Sequence, residues 1–422
     1  MLTNFRRICF VLVLFLMLML PPFRADAHCD DPLGCVEVGP DDPIVVGAML
    51  VVSGAINYLG EDTLGGVELA LLARDYTLLD HEIELVVEDS LCTAEGGQTA
   101  AQRLAADPTV VGAIGTNCSS AAQGAIPIIS ESGMVMIAPS NTSPSLTNED
   151  IAAGGSHLPG YFRTSQNGLI EGMRLAEFAA FALEAETLAT VHDGDPYTEG
   201  LAQAVARTFA DLEGAVVFEG AVNKGDTDMA SILTEIAVQQ PDVIYVPLFE
   251  PESNFFAAQM QHIAGLEDTI IIGGAASFTS SFPENTGESA VGIYVSGPLV
   301  SGESYDEVLA QWHEEYGSAP PSGYHAHAYD ATNLLLDALE SIAEIKDDGS
   351  IVIGRQAIRD AIAATEDYPG LTGRLTCRED SPFAGDCSPG TALAVFEITE
   401  AEVFDDNWPP PIAWNFAVDT FE

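Results

Sequence analysis

Two short segments concentrate hydroxyl and amide side chains directly after apolar, β-branched runs. Gly115-Thr-Asn-Cys-Ser-Ser120 follows Val110–Ile114, and Pro139-Ser-Asn-Thr142 follows Met134–Ala138. The first reads as a strand that breaks into a loop, with Ser119 placed to cap a helix running to about Ser130 and stopped at Gly133. A Ser at that position accepts from the free N–H groups of the first turn. A helix start also offers those N–H groups and a partial positive charge to an anion such as a carboxylate. Two parallel strands bring both loops to their carboxyl ends, where open α/β sheets bind ligands. Two locally capped loops with no ligand are the alternative.

Other residue types capable of chemistry point away from catalysis. The chain has no GxSxG elbow, no Walker loop and no HExxH helix. Ser119 and Ser120 have no partnering His motif, which suits recognition and not nucleophilic attack. His325-Ala-His327 puts its two rings on opposite faces of a strand, or offset on a helix, so it is a poor metal pair. No cofactor is implied.

The chain of 422 residues carries 14 lysines and arginines against 64 acids. Met1–Ala27 reads as a secretory signal, with Arg6 and Arg7 before the apolar run Ile8–Leu20 and Ala25-Asp-Ala27 as the cleavage pattern. A retained anchor is the alternative, but the run is short for a bilayer. Without Arg6, Arg7, Arg24 and Asp26 the remainder keeps 11 basic and 63 acidic residues. Its lysines are Lys224 and Lys346 alone. Such a field repels nucleic acid and anionic membrane. With 47% hydrophobic residues the chain can still bury cores, so the acids belong on a solvated surface. Adaptation to a saline habitat would appear as a melting temperature that rises with KCl.

Six of the seven cysteines remain once Cys9 leaves with the signal. An even count in an exported chain suggests disulfides, with 15 connectivities open to six cysteines. Cys29 with Cys35, and Cys377 with Cys387, are local pairs. Cys92 and Cys118 each follow a strand, and neighbouring strand ends are close enough to bridge.

The elements that position these loops alternate. Ile44–Leu50 and Glu82–Glu88 read as strands, Glu61–Asp75 and Ala94–Ala106 as helices, and the pattern implies a parallel sheet covered on both faces. It restarts with helix Leu169–Leu183, strand Thr187–His192, helix Tyr197–Asp211, strand Ala215–Phe218, helix Asp228–Gln239, strand Asp242–Leu248, helix Glu252–Ile263 and strand Thr269–Ile272. Val291–Val295 reads as a further strand, Glu303–Tyr316 and Ala326–Ile345 as helices, and Ala392–Ile398 as the last strand. About 395 residues are too many for one core, so two domains are expected.

GTNCSS followed by MIAPSNTSPSLT resembles the ligand loops of the type I periplasmic binding proteins of ABC importers, above all the leucine/isoleucine/valine-binding group. The similarity runs from about Ile44 to Ile398, and YFRTSQN at 161–167 resembles the family's crossing to its second lobe. The resemblance implies an α/β fold of two doubly wound parallel-sheet lobes joined by a three-crossing hinge. Residues 44–166 and 298–388 would form lobe 1, and 167–297 with 389–404 lobe 2. Residues 28–43 would be an N-terminal extension, and 405–422 a tail with no assigned place.

By the same resemblance, Ser119 and Thr142 hold the α-carboxylate of a ligand and help orient its ammonium, and Ser140 contributes its backbone carbonyl. Tyr197, in HDGDPYTEGLA, faces the cleft, and Phe249 and Tyr324 are pocket walls. Tyr58, in SGAINYLG, is either a ligand contact or a packing residue. Family members with cysteines at the places of Cys92 and Cys118 pair them. One departure matters: amino-acid binders of this group put a Glu after the strand read here as Thr269–Ile272, where it pairs with the ligand ammonium. This chain has Gly273-Gly-Ala-Ala-Ser277 instead. A buried ammonium without a carboxylate partner is costly. Either Asp193, Asp195 or Glu250 substitutes, or the ligand lacks a primary ammonium, as small carboxylates, aromatic acids, amides and urea-like molecules do. The expected function is an extracytoplasmic solute-binding protein, no enzyme, that hands an amino acid, carboxylate or amide to an inner-membrane ABC permease. A sensing subunit of the same fold that signals to a separate receptor is the alternative, with a hydrolase behind it.

Overall fold

The computed structural model describes residues 29–380, 382–405 and 407–416. The signal segment therefore lies outside the described residues, as does the end of the tail.

Two sheets organise the chain. The first has six strands in the order Thr77–Leu78, His81–Asp89, Ile44–Leu50, Val110–Gly115, Met136–Ala138, Tyr161–Arg163. All pairings are parallel except the first. Ile44–Leu50 is buried at every position, as a parallel strand with helices on both faces must be. One face packs Val46, Ile114 and Ile137 against Leu335 and Leu339 of the long helix His325–Ile342. The other packs Met49, Val110 and Met136 against Leu104, Ala122 and Ile126. On that face the helices Ala94–Ala106 and Ser119–Glu131 approach through glycine: a Cβ on Gly97 would lie 2.0 Å from the Ala121 carbonyl, and one on Gly124 would lie 1.9 Å from that of Ala94. This close packing sets where the Ser119 helix begins.

The second sheet has seven strands, in the order Ile412–Asn415, Leu393–Glu397, Tyr294–Pro298, Ile270–Gly273, Val243–Val246, Thr187–His192, Ala215–Ala221. Its last two strands in chain order, Leu393–Glu397 and Ile412–Asn415, pair antiparallel, and the other pairings are parallel. The chain leaves the first sheet after Arg163, returns after Pro298 with the helices Glu303–Tyr316 and His325–Ile342, and leaves again before Leu393. The result is two lobes on a three-crossing hinge. The returning helices belong with the first lobe, where Trp312 and Val308 pack on Leu69.

Several elements differ from the sequence reading. The helix expected over Leu169–Leu183 is α-helical only over Gly168–Glu177 and continues as a π turn, Phe178–Ala182. The strand expected at Val291–Val295 lies at Tyr294–Pro298, because Val291 is exposed and Gly292 turns the chain at a φ of +84°. The tail is not unattached: Ile412–Asn415 adds an edge strand to the second sheet. The N-terminal extension also joins the fold, since Cys35–Val38 pairs antiparallel with Ile351–Gly354. The three disulfides join Cys29 to Cys35, Cys92 to Cys118 and Cys377 to Cys387.

Candidate functional site

Val110–Gly115 and Met136–Ala138 are adjacent parallel strands, so the loops leaving them run side by side. Side chains tie them together. The Thr116 hydroxyl donates to the Cys118 carbonyl at 2.8 Å and to Asn141 Oδ1 at 3.2 Å. Ser140 Oγ donates to the Asn117 carbonyl at 3.1 Å, and the Ser143 amide donates to Ser119 Oγ at 3.3 Å. Ser119 is therefore not the cap but the first helical residue. Cys118 holds the cap position with extended backbone and provides no side-chain hydrogen bond. The first turn also has no acid. In a chain this acidic, that leaves the N–H groups and partial positive charge of this turn uncompensated by any side chain, the condition an anion site needs.

Arg163 anchors the second loop from beneath. Its side chain is fully buried. It donates to Asp386, to the carbonyls of Asn141 and Ser143 at 2.9 and 2.8 Å, and to Thr147 Oγ1 at 2.8 Å. Asp386 in turn accepts from Asn167 Nδ2 at 2.9 Å. One guanidinium thus ties the end of the first sheet, the Ser140–Thr147 loop and the third hinge segment. Asn117 does the same for the first loop: its Oδ1 accepts from the Val51 amide at 2.9 Å, and its Nδ2 donates to the Leu59 carbonyl at 3.0 Å and Thr63 Oγ1 at 2.7 Å.

From the second sheet, Asp195 caps the helix Pro196–Asp211 by accepting from the Tyr197 amide at 3.0 Å, which aims Tyr197 inward. The Tyr197 hydroxyl accepts from the Ala276 amide at 3.0 Å and so pins the Gly273–Ser277 segment. Its ring lies 5.2 Å from that of Phe249. Burial first, and then the charge of Glu171, push its ionisation well up, so it acts as a neutral hydrogen-bonding wall. Tyr324, at the start of the long helix, is held by its amide on Asp62 Oδ2 at 2.8 Å and is also buried.

These groups meet in one narrow crevice of about 20 Å³, lined by Leu59, Thr63, Asn117, Ser119, Ser140, Tyr197, Phe249, Ala275, Ala276 and Tyr324. That volume is about what one water needs, so the two lobes are nearly in contact here. Phe249 of the second lobe packs on the first-lobe cluster of Val51, Leu59, Cys92 and Cys118. Of the residues singled out from sequence, Ser119, Ser140, Tyr197, Phe249 and Tyr324 line this crevice. Thr142 is not among the lining residues; it is fully buried, with its hydroxyl unpartnered. Tyr58 packs at the rim of the same cluster as Phe249. Burial and the neighbouring Glu250 of the other lobe raise the ionisation of its hydroxyl.

Among the described residues no acid lines the crevice. Ala275 and Ala276 line it from the segment where the family resemblance implies a Glu. The three possible substitutes are already engaged. Asp193 accepts from Thr198 and from the Asp195 amide. Asp195 pairs with Lys224 Nζ at 2.6 Å. Glu250 is held within its own lobe by Thr279, Ser281 and Asn285. A further acid, Glu171, was read only as part of a helix. It is fully buried at the hinge, accepting from Ser296 Oγ at 2.8 Å and Gln166 Nε2 at 3.1 Å. Burial raises its pKa against the effect of those bonds. Lys224, the only lysine near the crevice, stands 6.0 Å from the centroid of the Phe249 ring. Among the described residues no group of three His, Cys, Asp or Glu side chains is placed to hold a metal.

Sequence reasoning missed Leu59, Thr63, Asn117 and Arg163 as parts of the site. Asn117 and Arg163 both sat inside motifs already noted, and the missing information was which distant groups they bridge.

Comparison with known proteins agrees with this architecture. A family model described as periplasmic binding protein matches residues 43–401. The Leu/Ile/Val-binding protein of Escherichia coli (strain K12) is 29% identical over 268 residues, covering 63% of this chain and 68% of that protein. A leucine-binding protein from Thermotoga maritima superposes with a TM-score of 0.73 at 23% identity, covering 85% of this chain and 96% of that one. A solute-binding protein from R. palustris, solved in complex with benzoate, superposes with a TM-score of 0.71 at 20% identity, covering 88% and 96%. A two-lobed α/β fold whose loops meet in an interlobe crevice, matched over nearly its whole described length, makes this chain a member of the periplasmic binding protein family: a type I solute-binding protein of the leucine/isoleucine/valine-binding kind, and not an enzyme.

Proposed function

We propose that this chain is the extracytoplasmic solute-binding protein of an ABC importer and that its ligand is a small carboxylate without a primary ammonium, with aromatic acids foremost. Residues 1–27 would direct export and be removed. Residues 44–166 and 298–388 would act as one lobe, and 167–297 with 389–404 as the other. The observation that carries the ligand class is the lining of the crevice: hydroxyls and an uncapped helix start, aromatic rings, and no carboxylate among the described residues. An ammonium sealed there would lack a counter-charge, which costs several kcal/mol. A carboxylate would meet Ser119, Ser140 and the free N–H groups of the Ser119 helix. An aromatic ring would lie against Tyr197, Phe249 and Tyr324. That a protein of the same fold is described in complex with benzoate fits this reading.

Capture works by differential contact. A crevice of about 20 Å³ cannot admit an organic acid, so the lobes must part for entry. Contacts made only when both lobes touch the ligand then favour the closed form. The closed complex would be what an inner-membrane permease recognises.

Thermal shift against a panel tests the proposal. The panel holds benzoate, 4-hydroxybenzoate, leucine, valine, their deaminated acids, short amides and urea. A ligand at 100 times its dissociation constant stabilises by about 2.7 kcal/mol. Stabilisation by acids lacking an ammonium, and none by leucine or valine, is expected. Stabilisation by leucine but not its deaminated acid would overturn the ligand class.

A further inference from the structure

A second cavity, of about 230 Å³, lies where the crossing at 298–300 meets the helix Glu303–Tyr316, and it shares no lining residue with the crevice. Its walls come from both lobes. Phe278, Phe396 and Trp408 form one: Phe278 and Phe396 stack with centroids 4.4 Å apart, and Trp408 lies 5.0 Å from Phe278. Tyr305, Leu309 and His325 form the other, with the Tyr305 and His325 rings stacked at 5.7 Å. Trp408 belongs to the tail, and His325 to the histidine pair that the solute site does not use.

The polar groups of this cavity have a defined direction. Asp62 is fully buried and accepts from the Ser322 amide, the Tyr324 amide and His325 Nδ1. The other Nδ1 neighbour is the Ser322 carbonyl at 3.2 Å. Both Nδ1 partners are acceptors, so that nitrogen carries the proton. In the neutral ring Nε2 is then an acceptor, and the Tyr305 hydroxyl donates to it at 2.9 Å. This leaves the Tyr305 oxygen with lone pairs for an N–H or O–H from a bound molecule. Ser322, which also lines the cavity, has a buried hydroxyl without a partner.

Size and charge narrow the occupant. A cavity of roughly 150 Å³ lined by apolar side chains takes up benzene, so 230 Å³ admits one substituted ring. Ring faces on both sides suit offset or edge-on aromatic contact. Among the described residues no Lys, Arg, Asp or Glu lines the cavity, whose imidazoles are His313 and His325; a cationic ligand would be left unpaired, and an anionic one would meet no permanent positive charge. We propose that this cavity is a second binding site, for a small neutral aromatic molecule carrying one hydrogen-bond donor, of the phenol or indole kind.

The test is fluorine NMR of 4-fluorophenol and of fluorobenzene titrated with the purified protein. 4-Fluorophenol should show saturable binding, with fluorobenzene at least fivefold weaker. Leu309→Trp, which fills the cavity from a half-buried position, should weaken 4-fluorophenol at least tenfold. Tyr305→Phe, a milder change, should remove most of the preference for the hydroxyl-bearing probe. Ser119→Ala in the crevice should leave both probes unchanged. The proposal is overturned by the absence of saturable binding at millimolar probe, or by binding that Ser119→Ala weakens and Leu309→Trp does not. This test uses neutral probes, so its outcome is independent of the carboxylate proposed for the crevice.

Discussion

Removing the charge of Arg163 tests whether the ligand loop is held by a buried ion pair. In Arg163→Met, Asp386 keeps its charge with its side chain 4% exposed and loses its cationic partner. The other bonds of Arg163 matter less. The Asn141 carbonyl still accepts from Ser165 Oγ at 3.0 Å, and the Ser143 carbonyl still accepts from the Leu146 amide at 3.3 Å. The charge term therefore dominates, and breaking one side of such a pair costs about 3–5 kcal/mol. Asp386→Asn should cost about as much, because it leaves the guanidinium unpaired. The double variant Arg163→Met with Asp386→Asn buries no charge, and it should be less destabilised than the sum of the singles by at least about 1 kcal/mol. Urea unfolding of the four proteins, followed by tryptophan fluorescence and circular dichroism, gives the cycle. Arg163→Met should also weaken ligand binding, because Ser140–Thr147 loses its anchor. Single variants that cost under about 1 kcal/mol, or a double variant equal to their sum, would refute the reasoning.

Removing both cysteines in Cys92→Ser/Cys118→Ser opens a loop of sequence separation 26; chain-entropy arguments give a loss of about 3.5 kcal/mol, read from urea midpoints. Tyr197→Phe leaves the Ala276 amide without its acceptor, which costs about 1–3 kcal/mol and should appear in calorimetry as weaker ligand binding with the fold intact. Burial pushes the Asp330 carboxyl up from 3.8 to about 6, despite the bonds it accepts from Leu371 and Thr372. The native protein then holds this proton to about pH 6, whereas the unfolded chain releases it near pH 4. Stability from this group is thus greatest below the unfolded pKa and falls as pH rises through that window, by at most about 3 kcal/mol. Asp330→Asn should flatten the dependence of melting temperature on pH there, and an unchanged slope would contradict it.

The parts of the fold legible in sequence are those fixed by local chemistry. Ala94–Ala106 was bounded correctly because Thr93 accepts from the Gly96 amide and Asp107-Pro108 ends the helix. Ile44–Leu50 reads as an unbroken run without polar side chains because a buried parallel strand must, and Thr187–His192 is likewise buried over Leu188–Val191 although it carries Thr187, Thr190 and His192. The pairing of Cys35–Val38 with Ile351–Gly354 left no such trace, since four-residue strands more than 300 positions apart show no shared pattern. Ile412–Asn415 was hidden by the prolines before it and by half-exposed residues typical of an edge.

The site divides the same way. Ser119 and Ser140 stood out because strand ends present hydroxyl loops. The cap assigned to Ser119 was wrong by one residue, because its oxygen accepts across to the neighbouring loop instead of from its own helix. Arg163 and Asp386 lie 223 residues apart, and Asn117 reaches back 54 and 66 residues to Thr63 and Val51. No local periodicity encodes such partners. Glu171 was read only as part of a helix, yet it is buried because the helix Gly168–Glu177 starts at the hinge, where its carboxylate accepts from Ser296.

The central claim is that one ligand is held jointly by both lobes. Isothermal titration of benzoate into the purified protein, Ser119→Ala and Phe249→Ala tests it most directly. The two substitutions lie on opposite sides of the crevice, and each removes a side chain that lines it. A hydrogen bond to a charged ligand is worth about 1.5–3 kcal/mol, so Ser119→Ala should weaken binding at least tenfold, and Phe249→Ala, which loses the ring contact, by a similar factor. If benzoate fails to bind, or if either variant retains the affinity of the parent protein, the ligand is not clasped between the lobes in the way described.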